Sequence, residues 1–133
     1  MFRLIKIENA RMNVPEPEYL TATASEAITI GEALVLASGA LTKCGATAKP
    51  TFIAMAGLSA DATDRVIPVC RVEPNQIYEV ETSADASAAV VGTKVTLHTD
   101  GLQVTATTTS GVAEIVSTNG ATAAGDKILV RFA

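Results

Sequence analysis

The sequence predicts an all-β protein, and three observations carry that expectation. Apolar and polar residues alternate with period two in short runs: Val95 and Leu97 against Thr96 and His98, and Ile77, Tyr78 and Val80 around Glu79 and Glu81. Gly, Asp and Asn punctuate the chain, with Ser38-Gly39 and Asp100-Gly101 each placed between apolar runs as hairpin turns. The composition is rich in small and β-branched residues, 23 Ala and 17 Thr, with 4% aromatics and no Trp.

Length and charge bound the answer further. A chain of 133 residues fits one compact domain or two intimately packed half-domains. Scaling gives about 6,600 Å² exposed when folded against about 19,900 Å² unfolded, enough for a core without disulfides or metals. A 48% apolar content excludes disorder, and the glycines show no collagen-like triplet. Mean hydropathy is high at +0.32, yet no window of about 18 uninterrupted apolar residues could span a membrane. A net charge of −4, with Lys and Arg scattered singly, excludes the basic face that nucleic acid requires. The opening MFRLIKIENARMN is broken by Lys6, Glu8, Asn9 and Arg11, so export through a signal peptide is not expected. Cys44 and Cys70 are then expected as free, buried thiols, with a disulfide as the alternative.

Taken in order, the elements begin with a short strand over Phe2 to Ile7. Pro15 and Pro17 fix φ and bias Val14 and Glu16 toward extended backbone, so residues 1–24 are predicted as an extended N-terminal arm. An arm must lie on something, either its own body as an edge strand or a partner. Residues 25–133 are predicted as a single β domain. Its expected strands are Ala27–Ile30, Ala33–Ala37, Ala40–Lys43, Thr51–Ala56, Arg65–Val72, Gln76–Thr82, Lys94–His98, Leu102–Thr105, Val112–Ser117 and Lys127–Phe132. Ser83–Val91, with Ser83 as cap, is the one candidate short helix.

The body reads as a duplication of residues 31–72 and 92–132. Gly31–Leu36 matches Gly92–Leu97 at an offset of 61, which persists from Leu41 to Leu102. After a one-residue slip Phe52–Ala56 matches Val112–Val116, and after another Asp64–Ile67 matches Asp126–Leu129. The predicted architecture is a small barrel or sandwich of two similar β units, β-tulip or β-clip-like, with the arm and at most one short helix.

Catalytic patterns are absent from the sequence. His98 is the only histidine and has no G-x-S-x-G nucleophile turn to serve. Gly120–Lys127 fails as a phosphate loop because Asp126 stands where the lysine must be. Glu79 and Glu81 share one strand face but read as a solvated surface or an edge guard. Asp61 and Asp64 lack the alternating oxygen ligands of a calcium loop, and two Cys with one distant His cannot fill a zinc site. No enzyme activity, cofactor or metal is expected.

The run Gly31–Leu36, Gly39-Ala40-Leu41, Ala56-Gly57-Leu58, Val66–Val69 and Val72 resembles the head decoration, or capsid cement, proteins of tailed bacteriophages. The second half repeats the pattern in Gly92–Leu97, Gly111–Ala113 and Gly125–Val130. The resemblance implies a structural virion protein, made in the host cytoplasm, that binds the outer surface of an icosahedral capsid. It implies the major capsid protein as partner and a homotrimer that staples neighbouring capsid subunits. A head-fibre base or another surface-binding virion β module is the alternative. Under that reading the arm contacts the capsid through Phe2, Leu4, Ile5, Ile7, Val14, Pro15, Pro17 and Tyr19.

Overall fold

Period-two alternation is realised as two mostly antiparallel sheets in a computed structural model that describes residues 1–10 and 15–133. The strands are β1 (Arg3–Ile7), β2 (Glu18–Thr21), β3 (Ala33–Ala37), β4 (Ala40–Lys43), β5 (Phe52–Ala54), β6 (Val66–Arg71), β7 (Gln76–Thr82), β8 (Lys94–Val95), β9 (Gln103–Val104), β10 (Ala113–Ser117) and β11 (Lys127–Arg131). One sheet runs β1-β7-β11-β10-β8, with β9 parallel on β7, and the other runs β2-β6-β5-β3-β4. Neither closes into a barrel, and together they form a sandwich-like body.

The two halves repeat one hydrogen-bonding plan. Leu34 pairs with Phe52 as Val95 pairs with Ala113, and Ala54 with Val69 as Ile115 with Val130. The amide of Gly31 donates to Ala54 O and that of Gly92 to Ile115 O, both at 2.8 Å. All these equivalences keep the offset of 61, so the two slips expected from side-chain similarity do not occur in the ladders. A parallel return contact occurs in both halves, Ala22 with Leu41 and Thr82 with Val104, although these pairs depart from the offset of 61.

Local chemistry explains the turns. Ser38 and Gly39 take φ of 50° and 82°, the left-handed pair that a two-residue hairpin needs to match strand twist. Two expectations change. Residues 83–91 form turns rather than a helix, because Asp85 caps its own loop by accepting the Ser87 amide at 2.7 Å. Ala27–Ile30 is a single bridge, Ile28 to Leu58, rather than a strand. Of the segment predicted as an arm, β1 lies on β7 and β2 on β6, both within the body of the same chain.

Two cores result. The smaller, of Ala22, Ile28, Leu34, Leu41, Phe52, Ala54, Ile67 and Val69, lies on one face of the five-stranded sheet. Ala33 and Ile53 point from its other face into the larger core with Tyr78, Val80, Val104, Ile115 and Val130. Phe2 is 3% exposed and sits in this seam, its ring 5.5 Å from Phe132 and 6.4 Å from Tyr78. Gly31 makes room for it, since a Cβ there would come within 2.6 Å of Met1 Cβ, and its carbonyl accepts the Phe2 amide at 2.9 Å. Phe2 is thus packed within the core of its own chain.

Polar groups in the seam are mostly satisfied. Tyr78 Oη donates to Gln76 Oε1 at 2.6 Å, and Gln76 Nε2 donates to Arg71 O at 3.0 Å. Cys44 and Cys70 are free and buried, and burial pushes the Cys44 thiol up to about 11. Glu32 is the exception, only 2% exposed. Its Oε2 accepts the Thr29 amide at 2.7 Å, while Oε1 has only Lys43 Nζ at 3.9 Å. Burial raises its pKa above the ordinary 4.5, against the lowering effects of the Thr29 amide and Lys43.

Two predictions follow from the seam. Phe2→Ala removes a ring from a filled core and is expected to lower unfolding stability by about 3 kcal/mol in urea titrations. A loss below about 1 kcal/mol would show that the N-terminus is not part of the folded core. Glu32 has a folded pKa above its unfolded value, so its favourable contribution is complete below pH 4.5 and fades as pH rises through the folded pKa. Glu32→Gln is therefore expected to stabilise the protein at pH 7, on the order of 1 kcal/mol, and to be near neutral at pH 4. Melting curves of both proteins across that range measure the difference.

Candidate docking face

Cross-strand pairing decides which side of the five-stranded sheet each residue takes. Leu20, Ile67 and Val69 face the smaller core, so Tyr19, Val66, Pro68 and Cys70 take the opposite side. That side is shared with Ile53, paired with Cys70. The six-stranded sheet covers Ile53 and Cys70 but stops short of Val66 and Tyr19, which remain 48% and 68% exposed. Met55 continues this uncovered surface, its amide bonded to Pro68 O at 3.0 Å.

Where the cover ends, a groove of about 410 Å³ opens. Phe2, Ile53, Cys70 and Tyr78 line its depth, and Met1, Pro15, Ile30 and Met55 flank it. Five of the eight exposed large apolar side chains among the described residues lie on this face: Met1, Tyr19, Ile30, Met55 and Val66. Exposed apolar side chains scattered singly need no explanation, whereas a contiguous group marks a contact surface.

The residues expected in a contacting arm are distributed as follows. Phe2 and Leu4 line the groove, with Leu4 partly buried against the larger core, and Pro15 lies at the edge. Tyr19 stands on the adjoining sheet face and Pro17 is exposed beside it in sequence. Ile5 is the extra residue of a bulge between Leu4 and Lys6, and Ile7 pairs with Gln76, both half-buried. Val14 lies outside the described residues. Met1, Ile30, Met55 and Val66 were not foreseen. Alternation along a strand does not say which face another sheet will cover.

Among the described residues many charged side chains are tied to one another or to backbone, while Lys6, Glu16, Lys49 and Glu81 are not. Glu79 Oε1 holds Arg3 at 2.8 Å and Lys127 at 3.6 Å, drawing β1, β7 and β11 together. Glu18 meets Arg71 through two bonds of 2.7 and 2.8 Å, and Arg131 reaches Glu114 at 2.8 Å. The Asp126 carboxylate accepts the Thr122 and Ala123 amides, which hold its pKa below the usual carboxylate range. His98 Nδ1 lies 3.1 Å from Asp100 at the hairpin. No group of three metal-ligating side chains is assembled among the described residues. The groove lining is mainly apolar, with Arg3 its charged member.

No protein-family model and no curated protein sequence matches the chain. Among solved structures it is similar to the head fiber gp8.5 N base of bacteriophage phi29, with a TM-score of 0.60 at 14% identity, covering 89% of this chain and 95% of that one. At that identity the likeness is one of fold.

Proposed function

We propose that the chain is a structural virion protein, a β module that seats on the outer surface of a phage head. The supporting observation is the fold shared with a head fiber base over 89% of this chain. The apolar face around Met1, Ile30, Met55 and Tyr19 supplies the seat, and the partner is the major capsid protein. The reading includes no catalytic step: the paired Glu79, Glu18 and Glu114 carboxylates act in cross-strand ion pairs.

A second reading, capsid cement, gives the same face a bracing role. It draws on the division of the face into a groove and the Tyr19–Val66 strip, two surfaces that could each meet a different shell subunit. A trimer at a three-fold position belongs to this reading, because linked copies gain effective concentration for every further contact.

Co-sedimentation with expanded, DNA-free heads of the encoding phage tests the seat. Saturable binding is expected, with Ile30→Asp and Tyr19→Asp each weakening it at least ten-fold and leaving the melting temperature within about 2 °C, since both side chains are more than half exposed. Wild-type protein that fails to pellet, or variants that bind unchanged, would sink the proposal. The bracing reading further expects decorated heads to resist heating better than bare ones.

A further inference from the structure

The duplication exposes a difference between the halves that neither the fold likeness nor the docking face addresses. In the first half Ile28 is 3% exposed and plugs the smaller core, held by reciprocal backbone bonds with Leu58 at 2.9 and 2.8 Å. The adjoining backbone is repeated closely: the Glu32 amide bonds to Thr29 O, and the Thr93 amide to Val90 O. At the constant offset of 61, the residue equivalent to Ile28 is Ala89.

Three carbons are missing there, and the space is not refilled. A cavity of about 250 Å³ lies beneath the 84–90 loop, with Val95, Ile115 and Ile128 on the strand side and Ala84, Ala86 and Ala89 on the loop side. Apolar cavities of about 150 Å³ already stay dry and admit a molecule the size of benzene. Val90 at the rim is 64% exposed, so the loop leaves the cavity within reach of the surface.

We infer that this cavity is a receptor for one branched aliphatic side chain, presented by a partner polypeptide in the place that Ile28 fills in the first half. The chemistry of the occupant is set by the sister half. An isoleucine side chain suits the Val95, Ile115 and Ile128 walls, whereas alanine is too short to reach them. Charged side chains are disfavoured, because the Thr82, Thr93 and Thr105 hydroxyls in the lining are already bonded within the chain and Asp85 caps its own loop. The inference stands apart from the virion reading, since it rests on the cavity and the repeat alone.

Methyl NMR of the full chain titrated with N-acetyl-isoleucine amide tests it. Saturable shifts confined to Val95, Ile115, Ile128 and the loop alanines are expected, at least ten-fold tighter than with N-acetyl-alanine amide. Ala89→Ile should supply the plug internally, raise the melting temperature and abolish the shifts, and the smaller Ala89→Val guards against misfolding by overpacking and should weaken them. No localised shift, equal affinity for the alanine probe, or undiminished binding in both folded variants would overturn the inference. Shifts with benzene but none with the isoleucine probe would mark a mere packing void and also overturn it.

Discussion

The burial of Phe2 is the constraint on which the rest of the structure depends. Its ring meets Phe132 at 5.5 Å and Tyr78 at 6.4 Å, so the beginning and the end of the chain close on the same seam. Tyr78 and Phe132 are themselves 5.8 Å apart and fully buried. Separating the N-terminus from the body would expose this aromatic cluster, a large fraction of the apolar burial available to so aromatic-poor a chain. Pairing of β1 with β7 follows from that anchor, and so does the wall of the groove that Met1 and Leu4 supply. A wall already held in place loses little conformational entropy when something docks on it.

The repeat shows which parts of a β unit are free to change. Backbone pairing preserves the 61-residue offset at Leu34 and Val95, at Ala54 and Ile115, and at Val69 and Val130. Side chains at those positions need only fill the interior, and their volumes drift. The loops drift further, since Ile28 is bridged to Leu58 while its counterpart Ala89 bonds only to Ala86 within its own loop. A one-residue register change would invert every side chain in a strand, so selection holds the ladder far more tightly than the plug.

Much of this was legible in the sequence. β3, β4 and β7 occupy the bounds expected for them, because alternation and the Ser38-Gly39 turn leave no competing arrangement. β8 and β9 shrink to two residues each, with Leu97 and Val104 joined by one isolated bridge where a longer hairpin was expected. The slips arose because Phe52 looks more like Val112 than Ala113, although hydrogen bonding equates it with the latter. The direction of the arm was not legible at all. Phe2 to Ile7 alternates as any strand would, and its destination is fixed by Gly31, Tyr78 and Phe132, far away in sequence. Exposure of Ile30 and Met55 likewise depends on where the six-stranded sheet ends, a property of packing rather than of local pattern.

The distribution of polar and apolar groups bears on the proposed role. Arg3, Lys127 and Glu79 are spent across three neighbouring strands, Arg71 on Glu18, and Arg131 on Glu114. Exposed pairs of this kind add little stability individually, but they set strand neighbours and leave few charges uncommitted for recognition. Apart from single charges such as Lys6, Glu16 and Lys49, the outward groups that cluster together are apolar: the Met1, Ile30 and Met55 flank and the Tyr19–Val66 strip. A surface built in that way gains affinity from area and fit, with little directional chemistry to distinguish one small ligand from another. It suits a large, repeated and fixed partner better than a diffusing substrate, and a head lattice is such a partner. On that reading the scarcity of charge and the excess of Ala and Thr serve one end, a rigid body whose uncovered face remains in place until the shell covers it.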